Sequence, residues 1–379
     1  MNFLFFSIMA AAATPTLMPA TDEPRATAKH TICGYAWGDV VNALIKSIGN
    51  ADNARAQRWA AELVCSEQGL GRLEAALVHA WALHVGPAHP TWARTWYHHI
   101  QQIRQFWERT HGDTKAIRNT PVVRQMVAES VAGLVLAAKK PLPELPSAAD
   151  CFREAEAMRQ RIRAGAGVGD QSATRRVWTG GSDGLDLRTI GNEMEAALRS
   201  GQVSRLLFWI IWILTLEKQD DAPPVRERGP AHVSVKQRKS LVWYLVAILK
   251  EIANEGAYLS VEERAGLFGC FEICYVKLGE KGRRDMLAAL ALSIQEHVIR
   301  RGTPSISGPT AIPSMTDIRG ALMTIDSVYS GIAAEARRYL LEVPKIVGLT
   351  AEDETVTVIK RTKINSSDKL ALAYSLLGK

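Results

Sequence analysis

DVVNALIKSIGNADNARAQRWAAELV, residues 39–64, returns in altered form as TIGNEMEAALRSGQVSRLLFWIIWIL, residues 189–214. Val40, Leu44, Ile48 and Trp59 fall in register with Ile190, Met194, Leu198 and Trp209. In both copies apolar residues recur at three- and four-residue spacing, a short polar break carrying Gly or Asn follows, and a second apolar run opens at the tryptophan. That period belongs to amphipathic helices. The two copies predict one packing unit used twice, and hence an all-α fold of two related multi-helix blocks.

Working outward from residue 39, Asp39 caps a helix over 40–48 that Gly49 and Asn50 end, and a second helix runs from about Ala51 to Cys65. LEAALVHAWALHVG continues as a third helix, stopped by Gly86, Pro87 and Pro90. A further helix over 121–139 ends at the break KKPLPELPS. The second block opens with the copied pair at 187–218 and continues through LVWYLVAILKEIA. Trp96 and Tyr97 recur as Trp243 and Tyr244, and VVRQMVAESVAGLVLA has a looser match in GRRDMLAALALSIQEH. The resulting division is a flexible leader at 1–30, a first helical block at 31–145, a charged helix and Gly-rich linker at 146–186, a second helical block at 187–302, and a C-terminal helix and tail at 303–379. A helix is expected near 316–343, a short strand at ETVTVIK and a last helix at SDKLALAYSLL.

Hydrophobic residues make up 47% of the 379 and charged residues 22%, which excludes a wholly disordered chain. The net charge of +7 favours acidic protein, membrane or nucleic-acid partners. Five cysteines, an odd number in a chain long enough to bury a large core, fit a reducing compartment, cytoplasmic or nuclear. MNFLFFSIMAAAATPTLMPA has a short apolar core without a basic start, so a disordered leader is preferred over a signal peptide, which stays open; Met9 is an alternative start to Met1. LLFWIIWILTL at 206–216 is too short to span a bilayer and reads as a buried core helix, so a membrane partner is not expected.

Chemistry-bearing motifs are sparse. Residues 91–109 mix Trp92, Trp96, Trp107, Tyr97 and Phe106 with Arg94 and Arg104, a composition that suits base stacking, but the spacing of Trp92, Trp96, Ile100, Ile103 and Trp107 is that of a buried helix face. Six of nine histidines lie between His79 and His111 without an HExxH spacing, and Cys270 and Cys274 share a helix face with no CxxC or His to complete a zinc set. GAGVG at 165–169 lacks the following Lys of a phosphate loop. No catalytic residue, metal site or cofactor is therefore assigned. The basic residues Arg175, Arg176, Lys236, Arg238 and Lys239 are the candidate nucleic-acid contacts. Trp59, Trp209, Trp96 and Trp243 are the candidate structural anchors.

NALIKSIGNADNARAQRWAAELV followed by LVHAWALHVGPAHP resembles the helical collar, or oligomerisation segment, that follows the ATPase core in clamp-loader-related and replication-maintenance ATPases. The shared features are the Lys-bearing turn of the first helix, the polar break before Ala54, Trp59 in its apolar helix, and the Gly-Pro ending. No ATPase module accompanies them, so the resemblance implies a collar-like interaction role over roughly residues 38–92. WAAELVCSEQG and RNTPVVRQMVAESVAGLVLAAKK together look like helical proteins of large double-stranded DNA viruses, which implies a role in virion assembly or replication compartments. The expected function is a non-enzymatic helical interaction or scaffolding protein with a protein partner or a second copy of itself; the alternative is a nucleic-acid-binding replication accessory protein.

Overall fold

The computed structural model describes residues 30–151, 153, 154, 157, 168–219, 222–255, 259–300 and 313–347. Among these residues the fold is all-α, with two isolated β-bridges and no strand. The first block contains α1 (Trp37–Gly49), α2 (Asn53–Cys65), α3 (Gly69–His84), a 3-10 turn (Gly86–Ala88), α4 (Pro90–Arg109), α5 (Thr114–Asn119) and α6 (Pro121–Leu136). The second contains α7 (Ser172–Val177), α8 (Leu185–Arg199), α9 (Val203–Leu216), α10 (Val235–Arg238), α11 (Leu241–Asn254), α12 (Val261–Tyr275) and α13 (Glu280–Arg300). Two further helices, α14 (Met315–Leu322) and α15 (Ile325–Val347), follow. The expected leader, the GAG of the glycine run, ETVTVIK and SDKLALAYSLL lie outside the described residues.

The two opening stretches fold alike down to their hydrogen bonds. After α1, the Asp52 amide donates to Ser47 O at 2.9 Å and the Ala51 amide to Ile48 O at 3.1 Å; after α8, the Gln202 amide donates to Ala197 O at 2.9 Å and the Gly201 amide to Leu198 O at 3.3 Å. Both turns are Schellman closures, in which a residue of positive φ satisfies the last carbonyls of a helix. That residue is Ala51 (φ 56°) in one and Gly201 (φ 74°) in the other, and α1 ends at Gly49 with Asn50 as its C-cap, the two residues expected to end it. Val40, Leu44, Ile48 and Trp59 are buried, as are Ile190, Met194, Leu198 and Trp209. The turn thus brings four apolar positions of one helix pair into the core with the register of the other pair.

The same order of packing continues through both blocks. In the first, α2 lies against α1, α3 and α6, and α4 lies against α6; in the second, α9 lies against α8, α11 and α13, and α12 against α13. By neighbours, α11 stands where α3 stands, α12 where α4 stands and α13 where α6 stands. This differs from the pairing of Trp96–Tyr97 with Trp243–Tyr244, which would set α11 against α4. Residues 66–68 join α2 to α3, whereas residues 217–240 join α9 to α11, and that longer connection shifts the sequence offset after the first two helices.

The blocks meet where α4 crosses α12 and where α3 lies along α13. Gly266, Gly269 and Cys270 make one face of α12 small. A Cβ at Gly266 would lie 2.4 Å from Arg94 Cα, and one at Gly269 would lie 2.3 Å from the Tyr97 ring. Only glycine lets the helices approach this far. The blocks are also strapped reciprocally. α15, which trails the second block, lies on α2, while Cys151, in the helical turn that trails the first, is fully buried with its thiol 3.9 Å from Phe208 O of α9.

Two other segments differ from expectation. The described part of the 164–186 linker is packed structure: α7 lies on α8 and α11, with Ala173 and Thr174 buried. Its order comes from polar ties to residues remote in sequence. The helix expected over 316–343 is divided at Met323–Thr324, so that α14 lies on α6 and α15 turns onto α2.

Candidate functional site

Helices packed this closely leave polar side chains inside, and their pairing decides what chemistry the interior can do. Glu62, Glu74, Asp183, Glu193, Glu195 and Asp285 are all buried, and each has a basic neighbour. Arg58 lies 3.0 Å from Glu62, Arg104 3.3 Å from Glu74 and Arg199 2.8 Å from Glu195, while Arg205 pairs with Glu193 and Arg228 with Asp183. His79 Nε2 stands 3.1 Å from Asp285 between α3 and α13. A buried carboxylate without a partner would cost several kcal/mol. Arg104–Glu74, Arg205–Glu193 and His79–Asp285 tie one helix to another, whereas Arg58–Glu62 and Arg199–Glu195 lie within single helices and Arg228–Asp183 joins two loops.

Two of the ties organise whole segments. Glu195 of α8 accepts the Ala173 and Thr174 amides at 3.1 and 2.8 Å and the Thr174 hydroxyl at 3.0 Å, capping the start of α7. Glu335 of α15 accepts from Arg58 at 2.6 Å and from the Tyr35 hydroxyl at 2.5 Å, while Glu62 accepts the Cys33 amide at 3.1 Å. Burial, reinforced by Glu335, pushes the Tyr35 phenol well above its usual range; burial and the Glu62 charge do the same to the Cys33 thiol. Both groups stay protonated and serve as donors.

The cysteines and histidines are dispersed. All five thiols are free and buried; Cys270 donates to Ala93 O at 3.4 Å and Cys274 to Glu74 O at 3.6 Å, so the two that share a face point into helix contacts. His99 bonds Ser130 at 2.8 Å and His89 bonds Thr91 at 3.0 Å, and burial lowers both imidazoles to about 4. Among the described residues no three His, Cys, Asp or Glu side chains gather as metal ligands. An open groove of about 300 Å³ between α4, α11 and α12 is lined by Tyr97, Lys250, Asn254, Arg264, Phe268 and Glu272. Its Lys250 and Glu272 pair with each other at 2.5 Å, and Arg264 donates to Leu259 O at 2.7 Å. No described helix is long and apolar enough to cross a membrane; LLFWIIWILTL lies within α9, and most of its side chains are in the core.

The anchor tryptophans Trp59, Trp96, Trp209 and Trp243 are all in the core. Of the aromatic stripe of 91–109, Trp92 and Trp96 are buried, and Tyr97, Phe106 and Trp107 are half-buried against the core. The five candidate basic residues divide. Arg176 is held by Glu251 at 2.7 Å and by Glu255, and Arg238 lies 3.1 Å from Glu227. Arg175, Lys236 and Lys239 are exposed and, among the described residues, lie within ion-pair distance of no carboxylate, with Asp170 in the electrostatic range of Arg175.

The fold brings these two basic spots side by side through one residue, Arg228. Its guanidinium donates to Val177 O at the end of α7 at 2.8 Å, and its backbone amide donates to Arg238 O of α10 at 3.1 Å. Beyond α10, the Trp243 indole donates to Gln237 O at 3.0 Å and its ring lies 4.7 Å from Tyr275. Arg283 at the start of α13 lies over Tyr275, 4.8 Å from the ring centre. Arg226, Lys281 and Arg283 thereby join a surface that sequence reading assigned to five residues. KGRR at 281–284 is a visible basic run, but nothing in the sequence places it beside α10. No protein-family model, curated protein or solved structure matches the chain.

Proposed function

We propose that the chain is a helical scaffold that acts by association, with a second copy of itself as the first partner to consider. The carrying observation is that the buried carboxylates are each matched to a basic group, and that Arg104–Glu74, Arg205–Glu193, His79–Asp285 and the Arg58–Glu335 extension of the Glu62 pair join one helix to another. Charge arranged this way rigidifies a surface. The reciprocal straps support the same reading, because a contact between blocks that each hold the other keeps distant helix faces in fixed relation. The collar-like stretch at 38–92 and the likeness to helical proteins of large DNA viruses point toward assembly as the setting.

Cross-linking of an equal mixture of isotopically light and heavy copies tests this reading. Mixed light–heavy peptide pairs at defined positions are expected. Leu185 and Val261 are apolar side chains 71% and 67% exposed at the starts of α8 and α12, and Leu185→Lys with Val261→Lys should reduce those pairs. Cross-links confined to single copies at every protein concentration would refute self-association.

A further inference from the structure

We propose that the surface running from the end of α7 across α10 to the start of α13 binds the phosphate backbone of double-stranded nucleic acid. This goes beyond the scaffold reading and stands on different residues. Arg175, Arg226, Lys236, Lys239, Lys281 and Arg283 supply six cations from four segments distant in sequence. Five are exposed and Arg283 is half-buried. Among the described residues none of the six lies within ion-pair distance of a carboxylate, although Asp170 feels Arg175 and Glu280 feels Arg283. Of the acids nearby, Glu227 is matched by Arg238 at 3.1 Å, Glu280 by Lys218 and Asp183 by Arg228, while Glu217 accepts the Leu241 amide at 3.1 Å. Positive charge therefore dominates what a ligand would meet there.

The chemistry selects phosphate, and the shortage of exposed aromatic rings points to a duplex rather than a single strand. Lysine ammonium groups on flexible stems neutralise phosphates without reading bases. Recognition of single strands relies on aromatic rings on which unpaired bases stack. Of the aromatics of this surface, Trp243 and Tyr275 are only 2% and 4% exposed and form its floor, and Trp178 at the end of α7 is half-buried with the Arg188 guanidinium over its ring, 5.1 Å from the centre. Among the described residues no aromatic side chain is largely exposed anywhere. The backbone segments that carry the cations are tied to one another: Arg228 links α7 to α10, and the Trp243–Tyr275–Arg283 stack links α10 to α13. A surface held at this many points presents its charges as an array.

The test is fluorescence anisotropy with a labelled DNA duplex of arbitrary sequence, using the full chain over a range of salt concentrations. Duplex binding that weakens with salt is expected, and the single strand of equal length should bind more weakly. The variant Arg226→Ala/Lys236→Ala/Lys239→Ala/Lys281→Ala removes exposed side chains and should melt like the parent. Its plot of log affinity against log salt should be shallower by about 3 to 4, since each phosphate contact contributes about 0.9 to the slope. The remote pair Lys46→Ala/Arg55→Ala should leave the slope unchanged. The proposal is overturned if the parent fails to bind duplex at low salt, if the single strand binds more tightly, or if the fourfold variant keeps the parental slope. Binding only to anionic lipid vesicles or to a polyglutamate peptide would overturn it as well.

Discussion

Six of the eight tryptophans buried among the described residues divide into two classes whose response to phenylalanine should differ. The indole N–H donates to His89 O at 3.2 Å in Trp81, to Ser130 O at 2.9 Å in Trp92 and to Gln237 O at 3.0 Å in Trp243. In Trp59, Trp96 and Trp209 it is buried without an acceptor. Trp→Phe removes a ring fragment from the core in every case, a loss of about 1 to 2 kcal/mol from burial and packing. For the first class a hydrogen bond goes too and a carbonyl is left with one partner fewer, which raises the cost to about 2 to 4 kcal/mol. For the second class the substitution also deletes a desolvated donor, a relief of about 1 to 3 kcal/mol, and the net change should fall within about 1 kcal/mol of zero. Guanidinium unfolding followed by circular dichroism measures both classes in parallel. Equal midpoint shifts would refute the division. Trp59→Ala and Trp209→Ala, which leave a large cavity in either block, should each cost about 3 to 5 kcal/mol.

The two Schellman turns give opposite-signed predictions: Ala51→Gly should stabilise by about 0.5 to 1 kcal/mol by relieving a positive φ, whereas Gly201→Ala should destabilise. The new Cβ at 201 would also lie 2.9 Å from Ile299 Cδ1, and thermal melts of the pair report both effects. Burial holds His89 and His99 near 4, below the 6.5 of an exposed imidazole, so the unfolded chain takes up protons first as pH falls. Stability should be full above pH 6.5 and decline toward pH 4, by about 2 to 3 kcal/mol for each histidine, and His99→Gln should flatten that dependence in urea titrations at a series of pH values. Burial raises the Cys65 and Cys274 thiols to about 12 and Cys151 to about 11, so a thiol reagent should count five reactive groups only after unfolding. Rapid labelling of the native chain would contradict that burial.

Helices written as strong apolar stripes were legible, because a period of three and four is a local property. Val40, Leu44 and Ile48 announce α1, and the copied spacing announces α8. What escaped is contact made at long range. α7 is a six-residue helix in a Gly-rich stretch, and it is capped by Glu195, a residue that reads as one more charge on α8. Ala51 takes a conformation that sequence usually marks with glycine, as Gly201 does in the other turn. The Trp-Tyr dipeptides of α4 and α11 invited an alignment that packing does not follow, since the 217–240 connection moves α11 into the place of α3. At the surface, Arg175 and Lys236 stand out by local charge, whereas Lys281 and Arg283 gain their place only from the Tyr275 contact that joins α12 to α13.

The central claim is that this chain works by association through surfaces fixed by its buried ion pairs. Light scattering on the purified full chain over a rising concentration series measures it most directly. The account predicts a defined mass that is a multiple of 41.6 kDa. A constant mass of one chain throughout the series would contradict it.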